Sequence, residues 1–166
     1  MNATANFNHN KAGIIRQYVL FTQDLSLFAV EMTLVREVLF LHEQVITPVP
    51  NALPFLLGLT NLRGEIIAVA DFGGFMGGTG IDTNLHQGRI LVMEAPDPRD
   101  VKLPPIRLGL AVSQVEGVLT LDTDDIVSTA GVSEELIPFL RGLYDYQGRL
   151  LMIVDVEAIA SWQDRW

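Results

Sequence analysis

Phe55-Leu-Leu-Gly58-Leu-Thr-Asn61-Leu-Arg63-Gly64-Glu-Ile-Ile-Ala-Val-Ala-Asp71 returns, without a gap, as Phe139-Leu-Arg-Gly142-Leu-Tyr-Asp145-Tyr-Gln147-Gly148-Arg-Leu-Leu-Met-Ile-Val-Asp155. The Phe, Leu, Gly, Leu, Gly and Asp at 55, 56, 58, 59, 64 and 71 are identical in the second copy. Most other positions keep their character, as Ile66-Ile67 against Leu150-Leu151 and Val69 against Ile153. Each copy reads as a short helical turn, a strand, a glycine turn and a second strand. Gly64 and Gly148 permit the positive φ that such a turn needs, and Gly58 and Gly142 are grouped with them as structural turn glycines.

Working outward, a weaker echo lies upstream of each copy. Phe28-Ala29-Val30 and Val35-Arg36-Glu37-Val38-Leu39 resemble Leu110-Ala111-Val112 and Val115-Glu116-Gly117-Val118-Leu119. The remaining chain continues the pattern of short apolar runs between turn residues. Tyr18–Thr22 and Leu27–Val30 read as strands around a turn at Asp24-Leu25. Arg89–Glu94, Arg107–Val112 and Gly117–Leu121 read as strands too. Phe72–Gly80, with five glycines in nine residues, reads as a loop. Ala95–Pro105, with four prolines, reads as a surface connection. Asp155–Trp162 reads as a closing helix with Asp155 as N-cap. The fold class is therefore mainly β, built from two similar small units whose intervening crevice is a natural binding groove.

Composition narrows the function. The 166 residues suit one domain or two small intertwined ones, and a 49% hydrophobic content supports a real core. The net charge of −9 has the wrong sign for a nucleic-acid backbone or a polybasic membrane contact. No cysteine is present, which excludes disulfides and thiolate chemistry. Residues 1–13 read as a flexible polar leader without the apolar core of a signal peptide. No apolar run approaches a membrane span, so a cytoplasmic protein without membrane insertion is expected.

Motifs that would carry chemistry fail on detail. The glycine loop at 73–80 lacks the Gly-Lys-Ser/Thr of a phosphate-binding loop. His9, His42 and His86 are scattered, without metal spacing, and read as exposed polar residues. Asp122-Thr-Asp124-Asp125 lacks the glycine and distal glutamate of a calcium loop. Asp71 and Asp155 occupy equivalent repeat ends, which suits capping better than acid–base work. No catalytic residue, metal or cofactor is expected, and the chain reads as no enzyme. Two charges stand out in apolar surroundings. Arg63 sits at the first glycine turn, where the second repeat has Gln147, so the turn itself does not require it. Glu37 lies within Val35–Val38, where alternation points it outward from a strand. The bland reading of both is an ordinary exposed charge; the sharper one is a partner interface.

Taken in order, these elements resemble the CheW-like family of coupling proteins, of CheW or PilI type. Tyr18-Val-Leu-Phe21 with Phe28-Ala29-Val30 resembles the family's opening hairpin, and Val35-Arg36-Glu37-Val38 its Val-x-Glu-Ile element. Thr47-Pro48-Val49-Pro50-Asn51-Ala52, Phe55–Gly58 and Asn61-Leu62-Arg63-Gly64 resemble its most characteristic run. Gly142–Asp155 resembles its closing hairpin, and the likeness spans roughly 17–160. The resemblance implies two intertwined five-stranded SH3-like β-barrel subdomains with short helices and a C-terminal helix. The expected division is 28–86 for subdomain 1, with 14–27 and 87–166 for subdomain 2, inside one domain at 14–166.

The resemblance also implies a non-enzymatic adaptor. It would couple the signalling tip of chemoreceptors to the regulatory domain of a CheA-type histidine kinase, at membrane-associated receptor arrays. The output would be chemotaxis, phototaxis or pilus-driven motility. By family position, the protein-binding residues are Glu37, Arg63, Val35, Asn61, Leu59 and Leu62. Asn61, Gly58 and Gly64 would hold the segment's shape. Val35, Leu59 and Leu62 are either contact surface or core. Three departures bear on partner choice: Gly73-Gly74 where the family usually has basic residues, Ser113 where it often has Asp, and a longer Pro96–Pro105 insert. The rival reading is a small-ligand β-barrel module.

Overall fold

A computed structural model describes residues 13–161 of the chain. Ten strands carry it: β1 (Ile15–Gln23), β2 (Ser26–Glu31), β3 (Val35–Phe40), β4 (Leu56–Leu62), β5 (Glu65–Asp71), β6 (Arg89–Ala95), β7 (Ile106–Val112), β8 (Gln114–Asp122), β9 (Leu140–Tyr146) and β10 (Arg149–Val154). Helices are short: α1 (Phe72–Phe75), α2 (Val156–Ala160) and four 3-10 turns. The stretch 72–80, expected to be all loop, therefore opens with a helical turn. Its cap explains why: the Asp71 carboxylate accepts from Gly74 N at 3.2 Å. Asp155 caps α2 in the same way, through Ala158 N at 3.2 Å. Asp71 is buried, and its second oxygen accepts from Ile81 N at 2.8 Å, pinning the far end of the glycine loop.

The strands form two five-stranded sheets of the SH3-like kind, ordered β8-β1-β2-β10-β9 and β3-β6-β7-β5-β4. Each is closed into a barrel by the segment that follows its first edge strand. Thr47 and Leu59 exchange backbone hydrogen bonds of 2.8 and 2.9 Å; Val127 and Leu143 do so at 2.8 and 3.0 Å. We call the first sheet barrel A and the second barrel B.

The repeat and the barrels divide the chain differently. One repeat runs from β1 to α1 and the other from β6 to α2. Yet the β1–β2 hairpin sits between β8 and β10, in the sheet that ends on β9, while the β6–β7 hairpin sits between β3 and β5, in the sheet that ends on β4. The two repeats have exchanged their first hairpins. Sheet membership thus departs from the expected division at 28–86. Barrel A takes 15–31 and 114–154, and barrel B takes 35–112. The expected cut at 27/28 falls inside β2, and the one at 86/87 parts β6 and β7 from the sheet they share with β3, β4 and β5.

Register deepens the repeat. Val35 pairs with Met93 and Glu37 with Val92, skipping Arg36; Val115 pairs with Phe21 and Gly117 with Leu20, skipping Glu116. The same bulge recurs where Leu56–Gly58 meets Val69–Ala70 and Leu140–Gly142 meets Ile153–Val154. The weaker echo at Phe28 is out by two residues. Parallel pairing places Phe28 opposite Met152 and Leu108 opposite Ala68, so Phe28 matches Leu108 and not Leu110.

Gly58 and Gly142 do not stand in turns. They lie within β4 and β9, at these bulges, where the closing segment approaches. A Cβ on Gly58 would sit 2.1 Å from Thr47 O, and one on Gly142 would sit 2.4 Å from Ile126 Cγ2 and 2.6 Å from Val127 O. Gly64 and Gly148 do occupy hairpin turns, with φ of +87° and +81°. Arg63 and Gln147 precede them at +51° and +52°, so both turns have positive φ at their two central positions. Asn61 and Asp145 side chains each accept from the turn glycine N at 2.8 Å.

Three apolar clusters hold the molecule together. Tyr18, Leu20, Leu27, Ala29, Leu121, Leu151 and Ile153 fill one face of barrel A's sheet. Leu41, Ile67, Val69, Ile90, Val92 and Ala111 do the same for barrel B. The largest cluster takes the alternate residues of both sheets and packs them against each other. Its centre is Phe21 and Phe28 from barrel A around Phe72, with ring centroids 5.0 and 4.8 Å from Phe72. The space between the units is thus core, where the repeat suggested a crevice. Burial of both sheet faces explains why the central strands are apolar throughout and not alternating.

Candidate functional site

The end of barrel B nearest the β4–β5 turn is an open mouth to which all five of its strands contribute. Arg36 and Glu37 come from β3, Leu62 from β4, Glu65 and Ile67 from β5, Val92 from β6 and Arg107 from β7, with Arg63 in the turn. Together they line a hollow of about 450 Å³. Its floor is the apolar filling of the barrel, since Ile67 and Val92 are buried. Its rim is charged.

The rim charges are paired in two groups. Arg63 donates a fork to Glu37, Nη1 to Oε1 at 2.9 Å and Nη2 to Oε2 at 2.6 Å. Glu94 is a hub on the neighbouring strand. Its Oε1 accepts from Arg36 Nη2 at 2.6 Å, and its Oε2 accepts from Arg36 Nε at 2.9 Å and Arg107 Nε at 2.8 Å. Arg107 also reaches Glu65 through Nη1. The bulge at Arg36 is what allows two successive residues of β3 to serve this one rim. The fork from Arg63 holds the Glu37 carboxyl below the ordinary glutamate range, against a smaller effect of burial. Hydrogen bonds from Arg36, with help from Arg107, hold Glu94 low in the same way.

The Arg63–Glu37 fork has a particular place in the barrel. β3 and β4 are the two edges of the sheet order. Their seam is joined at one end by the Thr47–Leu59 backbone pair and at the other by this fork. In barrel A the positions matching Glu37 and Arg63 are Gly117 and Gln147. Barrel A therefore closes without either charge.

The other expected residues separate. Leu62 lines the mouth and packs against the barrel B core. Val35 packs against the core between the barrels. Leu59 and Asn61 lie with exposed Val45 and Ile66 along a second hollow on the outer side of β4. Glu37 does not point outward as strand alternation suggested, because the bulge resets the alternation and leaves it half-buried under Arg63. Arg36, Glu94, Glu65 and Arg107 were not singled out from sequence. A cross-strand Glu94–Arg107 pair becomes legible only once the β6–β7 register is known.

Two further expectations change. His42 and His86 are not scattered, since their rings lie 4.4 Å apart by centroid. Their neighbours are Phe40 and Arg89, the latter stacked over the Phe40 ring at 4.3 Å. His9 and the expected leader lie outside the described residues, apart from Gly13, which packs against Asp122. Among the described residues no group of three or more His, Asp or Glu is placed to hold a metal ion, and no helix is long and apolar enough to cross a membrane. Among the described residues, side chains fill the interiors of both barrels.

Two SH3-like barrels that have exchanged hairpins, built on one internal repeat and carrying a charged mouth, define a double-barrel β module. The profile of the CheW-like domain family matches residues 17–164, and the chain belongs to that family. It is 26% identical over 120 residues to the chemotaxis protein CheW of Rhizobium meliloti, covering 72% of each chain. It is 30% identical over 114 residues to CheW of Thermotoga maritima, covering 69% of this chain and 68% of that one. The protein PilI of Pseudomonas aeruginosa matches at 30% over 124 residues, covering 74% of this chain and 64% of that one. Among solved structures, the scaffolding protein TtCheW of Thermoanaerobacter tengcongensis superposes with a TM-score of 0.71 at 24% identity, covering 86% and 90% of the two chains.

Proposed function

We propose that this chain is a non-enzymatic adaptor that couples chemoreceptors to a CheA-type histidine kinase through protein contacts. It acts in the cytoplasm, at receptor arrays, in chemotaxis or pilus-driven motility. Relatives named as chemotaxis proteins, and the relative named PilI, support this reading. The mechanism is geometric. The adaptor holds kinase and receptor in a fixed relation, and contacts that differ between receptor states bias the kinase. No turnover or cofactor enters.

One observation carries the assignment of the docking face. Barrel B has a forked Arg63–Glu37 pair at its mouth where barrel A, closed by the same backbone device, has Gln147 and Gly117. The charges are dispensable to a barrel of this kind, which leaves recognition as their role. Val35, Leu59, Asn61 and Leu62 then frame or support that face.

The test is calorimetric titration of the wild-type chain with the regulatory domain of the CheA-type kinase from the same genome, and with a receptor signalling tip. Glu37→Arg and Arg63→Asp are run beside it after their fold is checked. Wild-type binding and a loss of tenfold or more in one variant, about 1.4 kcal/mol, support the reading. Absence of wild-type binding to both partners removes it.

A further inference from the structure

We infer that the Pro96–Pro105 connection is a specificity arm. It extends the barrel B mouth into one surface, where Arg36, Arg63 and Arg99 stand over less exposed carboxylates, that receives an acidic protein partner with an exposed apolar strip. The inference rests on the adaptor reading and adds to it the chemistry of the partner.

Three observations converge. The arm is built, not slack. Asp97, only 3% exposed, accepts from Arg99 N at 2.9 Å, Nε at 3.0 Å and Nη2 at 2.8 Å. Asp100 accepts from Lys102 N at 2.9 Å, and Leu103 N closes the turn on Asp100 O at 3.0 Å. Such a turn fixes what the tip displays, which is Val101, 82% exposed, with exposed Lys102 and Leu103. A closed turn that displays two exposed aliphatic side chains fits a contact surface.

Second, the arm stands on the mouth. Its base is the Ala95–Ile106 pair, and the next pair along the strands is Glu94 and Arg107, directly opposed, which is the hub of the rim network. Displacing the arm would disturb the rim, and a partner seated on the rim meets the arm.

Third, the charge is layered. Arg63 is 73% exposed over Glu37 at 24%, Arg36 is 60% exposed over Glu94 at 11%, and Arg99 is 61% exposed over the buried Asp97. The rim and arm together carry as many acids as bases; in these three pairs the guanidinium lies outermost, while Arg107 and Glu65 are about equally exposed. The rest of the chain carries the whole net charge of −9. On so acidic a molecule a face without net negative charge is suited to receive carboxylates, and Glu37, Glu94 and Asp97 hold Arg63, Arg36 and Arg99 in fixed planes for bidentate contact. The apolar part of the face is two side chains on one turn, far less than the apolar face a membrane contact buries, so a protein partner is favoured over a membrane.

The test uses the full chain and the two probes named above, with vesicles of anionic phospholipid as a third. Variants are V101D/L103D in the arm, R63D on the rim and their combination. Because Val101 and Leu103 are exposed, the arm variant should unfold at the wild-type midpoint. The expected result is that the arm variant loses at least tenfold in affinity for the same partner that R63D weakens, with little effect on the other. Wild-type affinity for that partner should also fall as salt is raised. Wild-type binding that the arm variant leaves intact, or an arm effect confined to the partner that R63D spares, overturns the arm while the adaptor reading stands. Binding to vesicles that the arm variant abolishes, with protein binding unchanged, overturns it in favour of a membrane contact. If wild type binds neither protein, the adaptor reading has failed and the arm with it.

Discussion

Arg63 occupies the left-handed region at φ +51°, a conformation that its turn would offer more cheaply to asparagine or glycine. Its side chain then spends its reach on Glu37. Sequence reading picked out both residues separately, from the Gln147 contrast and from family position. Their pairing was not legible, because it depends on the seam between β3 and β4 and on a bulge that no local pattern announces. The pair predicts a pH signature. Glu37 is held below its ordinary range, so its contribution is complete above the unfolded carboxyl value of about 4.3 and is lost as pH falls through the lower folded value. Arg63→Gln should therefore lower the melting temperature slightly at neutral pH, with the gap to wild type closing as the solution is acidified below about pH 4. A surface pair contributes little, so a large neutral-pH effect would argue that the fork is mainly a barrel clasp. The Glu37→Arg/Arg63→Glu exchange separates the roles further. It should restore the melting temperature and leave partner binding impaired; recovery of binding would show that pairing alone is what the partner needs.

At the scale of elements, all ten strands were legible, because each is a short apolar run punctuated by Gly, Pro, Asn or Asp. The turn glycines were legible too, since Gly64 and Gly148 supply the positive φ of their hairpins. What misled was treating Gly58 and Gly142 as the same kind of residue. Their constraint is a long-range approach by Thr47 and Val127, invisible to local sequence. Substitution by alanine distinguishes the two kinds. Gly64→Ala meets nothing within 4 Å and should cost about 1–2 kcal/mol for its left-handed backbone alone. Gly58→Ala combines φ +147° with a backbone oxygen at 2.1 Å, and should cost about 2–4 kcal/mol. Gly142→Ala should fall between, because its φ is not positive and its backbone neighbour, Val127 O at 2.6 Å, stands further off than the Thr47 oxygen. Urea unfolding of the three variants checks the order, and equal costs would mean that the closing segments yield freely.

For the molecule as a whole, the internal repeat foretold two barrels and could not foretell the exchange of hairpins. Either pairing satisfies the same apolar pattern, and the choice is made by the shared core. Connections limit it as well: a single residue, Ser113, separates β7 from β8, and its N donates to the buried Gln23 of β1 at 3.1 Å. Gly73 leaves room for that glutamine, its absent Cβ lying 2.5 Å from Gln23 Nε2. Two departures from the family pattern, Gly73 and Ser113, thus meet at one inter-barrel contact. Barrel B is one continuous segment, 35–112, set between the two parts of barrel A, and the largest apolar cluster is shared by both sheets, so the two barrels are expected to unfold together. The three tyrosines, Tyr18, Tyr144 and Tyr146, all belong to barrel A, whereas His42 and His86 flank strands of barrel B. Near-ultraviolet tyrosine circular dichroism and histidine proton resonances should therefore lose native character at one denaturant concentration. Phe72→Ala, which empties the aromatic centre between the barrels, should cost about 3–5 kcal/mol and move both probes equally. Two separated midpoints, in wild type or in this variant, would mean that the barrels are thermodynamically independent despite the exchange. Coincident midpoints would make them one cooperative body, able to transmit a displacement at the barrel B mouth to barrel A.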